Sequence, residues 1–186
     1  VSGVNEDGTP QLSAGYQNNR PSAMHPKYRM VENVLEELDN LGEWYLSNDN
    51  KLYYWPEKGM DISNVIIEGV QQKHLIEIVG TEEKPVTNVS IDGIKFEHAK
   101  RTFLEEYEPL LRSDWTMYRG GAVFIEGAEN VSISNCEFTN LGGNVIMISK
   151  YNRGVIIKGN HIHECGATAV SFLGNPSSVR SPSFQY

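Results

Sequence analysis

The sequence predicts an all-β protein, a parallel β-helix with rungs of about 24 residues behind an irregular and hairpin segment. Two observations carry that reading. Asn130-Val131-Ser132-Ile133-Ser134-Asn135 is echoed 24 residues later by Gly154-Val155-Ile156-Ile157-Lys158-Gly159, and Val145-Ile146-Met147-Ile148 is echoed at the same distance by Ala169-Val170-Ser171-Phe172. Upstream, Asn88-Val89-Ser90-Ile91-Asp92-Gly93 and Asn64-Val65-Ile66-Ile67-Glu68-Gly69 carry the same pattern, again 24 apart. A third observation refines it. The step from Val89 to Val131 is 42, one period plus 18 residues, so one rung carries a large loop.

The pattern has a geometric cause. A strand shows alternate side chains to its two faces, which sends Val and Ile inward and Ser, Asp, Lys and Glu outward. No rung can bury its inner face alone, but stacking at about 4.8 Å builds a continuous core and pairs the backbones between rungs. Phe96, Phe138 and Ile162 each fall seven residues after the Val of their rung, while Asn and Gly stand where the bends need unusual dihedrals. The apolar run at His74–Val79 sits four residues early in the period.

Ahead of the rungs the signals change. Residues 1–30 lack periodicity and are punctuated by Gly15, Pro21 and Pro26, and Val1–Arg20 reads as irregular or hairpin structure. Met30–Leu38 places Val31, Val34, Leu35 and Leu38 on one face of a short helix that Gly42 would stop. Glu43–Leu46 and Lys51–Trp55 are aromatic, strand-forming runs around Ser47-Asn48-Asp49-Asn50, a hairpin ended by Pro56. Its rings suit either a small core beside the first rung or a sugar-stacking surface. The domain reading is residues 1–60 for this segment and 61–186 for the rungs.

Composition narrows the function classes. With 186 residues the chain can bury one sizeable core. A formal charge of −8 gives no electrostatic case for nucleic acid, and no apolar run approaches the length of a membrane span. Cys136 and Cys165 occupy different places in their rungs, so they read as unbridged thiols rather than a disulfide.

The inserted loop, 99–120, is charged, aromatic and long, and solenoid insertions gather on one face where function often sits. Rings stack on sugar faces, while Arg and carboxylates fix hydroxyls or uronates by directed hydrogen bonds. The substrate-binding candidates are Arg101, Glu108, Arg112, Asp114, Trp115 and Arg119, with His163 and Glu164 on a later rung. A loop that merely covers a rung remains the alternative. Glycoside hydrolysis wants two carboxylates at a set separation, and Glu105, Glu106, Glu108 and Asp114 are available. Glu97, Glu137 and Glu164 stand at different offsets from their rung Val, so they do not form one column. His161 and His163 share a strand face and could chelate, but the reading favours surface histidines and assigns no metal site.

Several of these runs resemble bacterial right-handed parallel β-helix carbohydrate-active proteins. They are His25–Asn33, Gly42–Tyr45, Leu52–Pro56, Pro109–Thr116 and Arg119–Phe124. The group most similar is glycoside hydrolase family 141, which includes α-L-fucosidase and xylanase activities. The resemblance implies a secreted or periplasmic protein that degrades plant-type polysaccharide. Members of that group are longer, with their acidic catalytic pair on later rungs, so no catalytic residue is carried over to this sequence. The chain stops at Ser181–Tyr186 without a polar cap, and the expectation is a fragment completed by a remaining β-helix segment. No cofactor is expected. A polysaccharide lyase on the same scaffold would use Ca²⁺ and a basic residue, for which Arg101, Arg112, Arg119 and Arg153 qualify, and a non-catalytic carbohydrate-binding or adhesive β-helix is the third reading.

Overall fold

A computed structural model describes residues 3–7, 10–11, 32–103, 105–109 and 116–175. Contacts divide the described residues into two compact units, with the boundary between Gly69 and Val70. The larger unit is a right-handed parallel β-helix. It also holds a short antiparallel pair, β1 (Gly3–Val4) with β2 (Pro10–Gln11).

The smaller unit carries the aromatic hairpin. Strands β3 (Trp44–Leu46) and β4 (Leu52–Tyr54) pair antiparallel, Trp44 opposite Tyr54, as the sequence predicts. Asn33 clamps β3 from outside the hairpin, accepting from the Leu46 amide at 2.7 Å and donating to its carbonyl at 2.9 Å. The predicted helix at Met30–Leu38 reduces to one 3-10 turn, Leu35–Glu37, within its described part. Leu35 stays exposed there, so no apolar face is buried to offset the cost of nucleating so short a helix.

In the larger unit each rung visits three parallel sheets. The first rung is β5 (Ile76–Val79), β6 (Val86–Thr87), β7 (Ser90–Asp92) and β8 (Lys95–Glu97). A hairpin in the insertion follows, β9 (Glu108–Pro109) with β10 (Thr116–Met117). The second rung is β11 (Val123–Glu129), β12 (Ser132–Ser134) and β13 (Glu137–Thr139). The third is β14 (Ile146–Arg153), β15 (Ile156–Lys158) and β16 (His161–Ile162), and β17 (Val170–Leu173) opens a fourth. The first sheet stacks β5 and β6, β11, β14 and β17; the second stacks β7, β12 and β15; the third stacks β8, β13 and β16.

The register follows the repeat. Ile91, Ile133 and Ile157 form one inner column, and Phe96, Phe138 and Ile162 another. Phe96 and Phe138 stack with centroids 4.8 Å apart. Burial peaks in the middle rung, where Val131, Ile133 and Phe138 are wholly inaccessible because rungs lie on both sides.

The corners form columns too. Asn88, Asn130 and Gly154 have φ of 59°, 56° and 63°; Gly93, Asn135 and Gly159 repeat the conformation at the next corner. At the third corner it is adopted by His98, Asn140 and Glu164, with φ of 64°, 50° and 49°. Asn tolerates this region and Gly prefers it, whereas His and Glu are strained in it.

Two details depart from the repeat. The motif at Asn64–Gly69 makes no strand: Asn64 ends a 3-10 turn, Ile66 is 87% exposed, and the rungs begin at β5. Matching letters do not make a strand without a ladder to pair with. The early placement of His74–Val79 is explained by a second, smaller insertion, 80–85. Val79 aligns with Glu126 and Val86 with Ala128, so five extra residues lie between β5 and β6. Cys136 and Cys165 are unbridged, as predicted. Burial pushes the Cys165 thiol up from its ordinary value.

Candidate functional site

The first sheet turns one face to the core and the other outward. On its outward rows Met147 and Ser149 are nonetheless fully buried, and Met147 stands outside the core cluster. The inserted loop reaches onto this outward face through Arg119, which bonds Ser149 and the Leu173 carbonyl. It is tethered at both ends: Lys73 pairs with Glu105 at 2.7 Å, and Asn144 donates to the carbonyls of Tyr118 and Gly120 at 3.0 Å each.

Arg119 holds it down. Its Nε and Nη2 grip Glu108 Oε2 and Oε1 at 2.9 and 2.5 Å, Nη1 donates to Ser149 Oγ and the Leu173 carbonyl at 2.8 and 2.9 Å, and Nη2 also reaches the Gly174 carbonyl at 3.3 Å. A guanidinium has five N–H donors, so this set engages all of them. Ser149 Oγ passes the chain on, donating to Glu126 Oε2 at 2.6 Å, and Lys150 Nζ donates to Glu126 Oε1 at 2.8 Å. Burial alone would raise the Glu126 pKa. The bonds from Lys150 and Ser149, with the charges of Lys150 and Arg119, outweigh it and hold the carboxyl below its ordinary 4.5. Glu126 is therefore a fixed carboxylate, suited to accept hydrogen bonds or act as a base, and unsuited to donate a proton near neutral pH.

Beside it lies a groove of about 390 Å³, lined by Gly80, Thr81, Glu82, Glu126, Gly127, Lys150, Tyr151 and Asn175. A β-bulge shapes it. Glu126 pairs with Ser149 but Ala128 with Asn152, so Lys150 and Tyr151 together oppose Gly127. Gly127 has φ of 63°, and a Cβ there would lie 2.2 Å from the Gly80 backbone. Only glycine lets the 80–85 loop close onto this rung. Tyr151 is oriented by its hydroxyl, which donates to Glu129, and by Arg153, whose guanidinium carbon lies 5.8 Å from the ring centre.

Of the residues the sequence singles out, Glu108 and Arg119 are brought together and engaged with each other. Arg101 is exposed, its guanidinium 5.2 Å from the Phe103 ring centre. Arg112, Asp114 and Trp115 lie outside the described residues. His163 and Glu164 follow β16 of the third sheet, away from the rows that Arg119 spans, and Glu164 forms a strained corner. Glu126, Lys150 and Tyr151 were not singled out. Glu126 and Lys150 stand one period of 24 apart in the sequence, but the bulge that brings Lys150 and Tyr151 beside Glu126 is not written in the repeat.

Comparison with known proteins identifies the architecture's family. The family described as the right-handed β-helix region matches residues 45–184. The chain belongs to it. No curated protein and no solved structure matches. Right-handed β-helix domains are common in polysaccharide-acting enzymes and carbohydrate-binding proteins, which bears on a groove combining a ring, a carboxylate and an ammonium. Among the described residues no helix is long and apolar enough to cross a membrane.

Proposed function

We propose that this β-helix is scaffold and cleft wall of a secreted or periplasmic polysaccharide-degrading glycoside hydrolase, and that the groove beside Glu126 holds part of the glycan. The observation that carries the reading is the groove's composition: a fixed carboxylate, an ammonium and an oriented tyrosine ring line one opening. Carboxylate and ammonium match sugar hydroxyls as acceptor and donor, and a ring offers a stacking face. Catalytic acid and nucleophile would be supplied by further rungs. Arg119 favours this over a lyase, since its five donors are all engaged within the protein.

Calorimetric titration with xylohexaose and with fucosylated xyloglucan oligosaccharides tests the reading. Binding by the chain, weakened in Lys150→Ala and Tyr151→Ala, supports it. Absence of binding, or affinity unchanged in both variants, overturns the groove assignment. Turnover of an aryl glycoside by the 186-residue chain alone would contradict the scaffold role, and unsaturated, ultraviolet-absorbing products would favour the lyase.

A further inference from the structure

The outward face of the third sheet gathers three metal-ligating side chains from two rungs. Glu137 in β13 is the register partner of His161 in β16. Ile162 faces Phe138 in the core, so alternation turns His161 and His163 outward on the same side. Both histidine amides are bonded to the rung below, His161 N to the Cys136 carbonyl at 2.8 Å and His163 N to the Phe138 carbonyl at 3.0 Å. The two imidazoles stack with centroids 4.4 Å apart, and ligand atoms of Glu137, His161 and His163 all lie within 4.8 Å of one another.

We propose that Glu137, His161 and His163 form a binding site for a divalent d-block cation of the zinc type. A tetrahedral ion with nitrogen and oxygen ligands near 2.0–2.1 Å sets its donor atoms roughly 3.3 Å apart. His163 Nε2 and Glu137 Oε1 already stand 3.3 Å apart, and a rotation of the exposed His161 ring brings in the third donor. The remaining coordination position is open to water. Two imidazoles and one carboxylate favour zinc, nickel or copper over calcium, which takes oxygen ligands.

A supporting shell is present. His163 Nδ1 lies 3.4 Å from Thr139 Oγ1, and Thr139 is buried. With Nδ1–H donated to that hydroxyl, Nε2 points its lone pair toward Glu137, the tautomer a metal ligand needs. The one ammonium next to Glu137 in its column, Lys95, is bonded to Glu97 at 2.7 Å, which offsets its repulsion of a cation. The site is independent of the groove beside Glu126 and of any glycan.

Calorimetric titration of the full chain with zinc chloride tests it. The expected result is saturable uptake of one zinc per chain. Affinity should fall at least about tenfold in His161→Ala, His163→Ala and Glu137→Gln, and about 10–100-fold in Thr139→Val, which removes no ligand. His98→Asn, which alters a histidine outside the cluster at a corner asparagine accepts, should bind like the parent. Metal-free melting temperatures matching the parent would confirm that the ligand variants are folded. No saturable uptake, or uptake unchanged in the His161→Ala/His163→Ala double variant, overturns the proposal.

Discussion

The first and third sheets turn two very different outward faces to solvent, although the same register builds both. On the first, Met147 and Ser149 are buried, and the run Glu108–Arg119–Ser149–Glu126–Lys150 links two carboxylates and two cations through one hydroxyl. On the third, His161 is exposed and Glu137 and His163 half-exposed, with His163 making long contacts of 3.3 Å to Glu137 and 3.4 Å to Thr139. The difference teaches that a polar cluster's role depends on what covers it. Beneath the loop, polar groups bind the rungs together and leave ligands only the groove at the edge; in the open, they keep their capacity for a ligand.

Five perturbations would sharpen or break that contrast. Phe138→Ala removes a core ring that backs both faces, and should cost about 4 kcal/mol, read as a lowered denaturant midpoint. Arg119→Ala should cost about 3 kcal/mol, since it leaves a half-buried Glu108 without its cation and a buried Ser149 with Glu126 alone. His161→Ala on the open face should stay within about 0.5 kcal/mol of the parent. If Arg119→Ala and His161→Ala cost the same, the distinction between covered and open faces fails.

The fourth perturbation is acid. The Glu126 carboxyl is held below 4.5 in the folded chain, so its stabilising share is fully present above that pH and is lost as pH falls through the lowered folded value. The melting-temperature gap between parent and Glu126→Gln should therefore be widest near neutrality and narrow as pH falls below the ordinary carboxylate value of 4.5. A gap that does not vary with pH would mean that Glu126 is not held by this network.

The last perturbation is a gain. Glu164 occupies the corner conformation that Asn140 and Gly154 suit better, at φ of 49°. Glu164→Gly should raise stability by about 1 kcal/mol by relieving that strain, measured as a higher melting temperature. A loss would mean that the Glu164 side chain makes a contact that outweighs its backbone.

The repeat made much of this legible. Counting in steps of 24 fixes the inner columns, the corner residues and the location of the insertion, because a ladder between rungs demands constant register. It also placed Glu137 and His161 at the same offset from their rung Val, so the metal cluster was readable as a column. Asn64–Gly69 misled for the opposite reason, since its letters match while no strand forms. The engagement of Arg119 was beyond reach, because a residue's partners across the covered sheet, at Ser149 and Leu173, depend on how the loop folds back.

Hydrogen exchange of the full chain with and without saturating xylohexaose tests the central claim most directly. Added protection at Gly80–Glu82, Glu126–Gly127 and Lys150–Tyr151 is predicted, with the outward strands of the third sheet unchanged. Protection confined to the third sheet or the aromatic hairpin, or none at all, would contradict it.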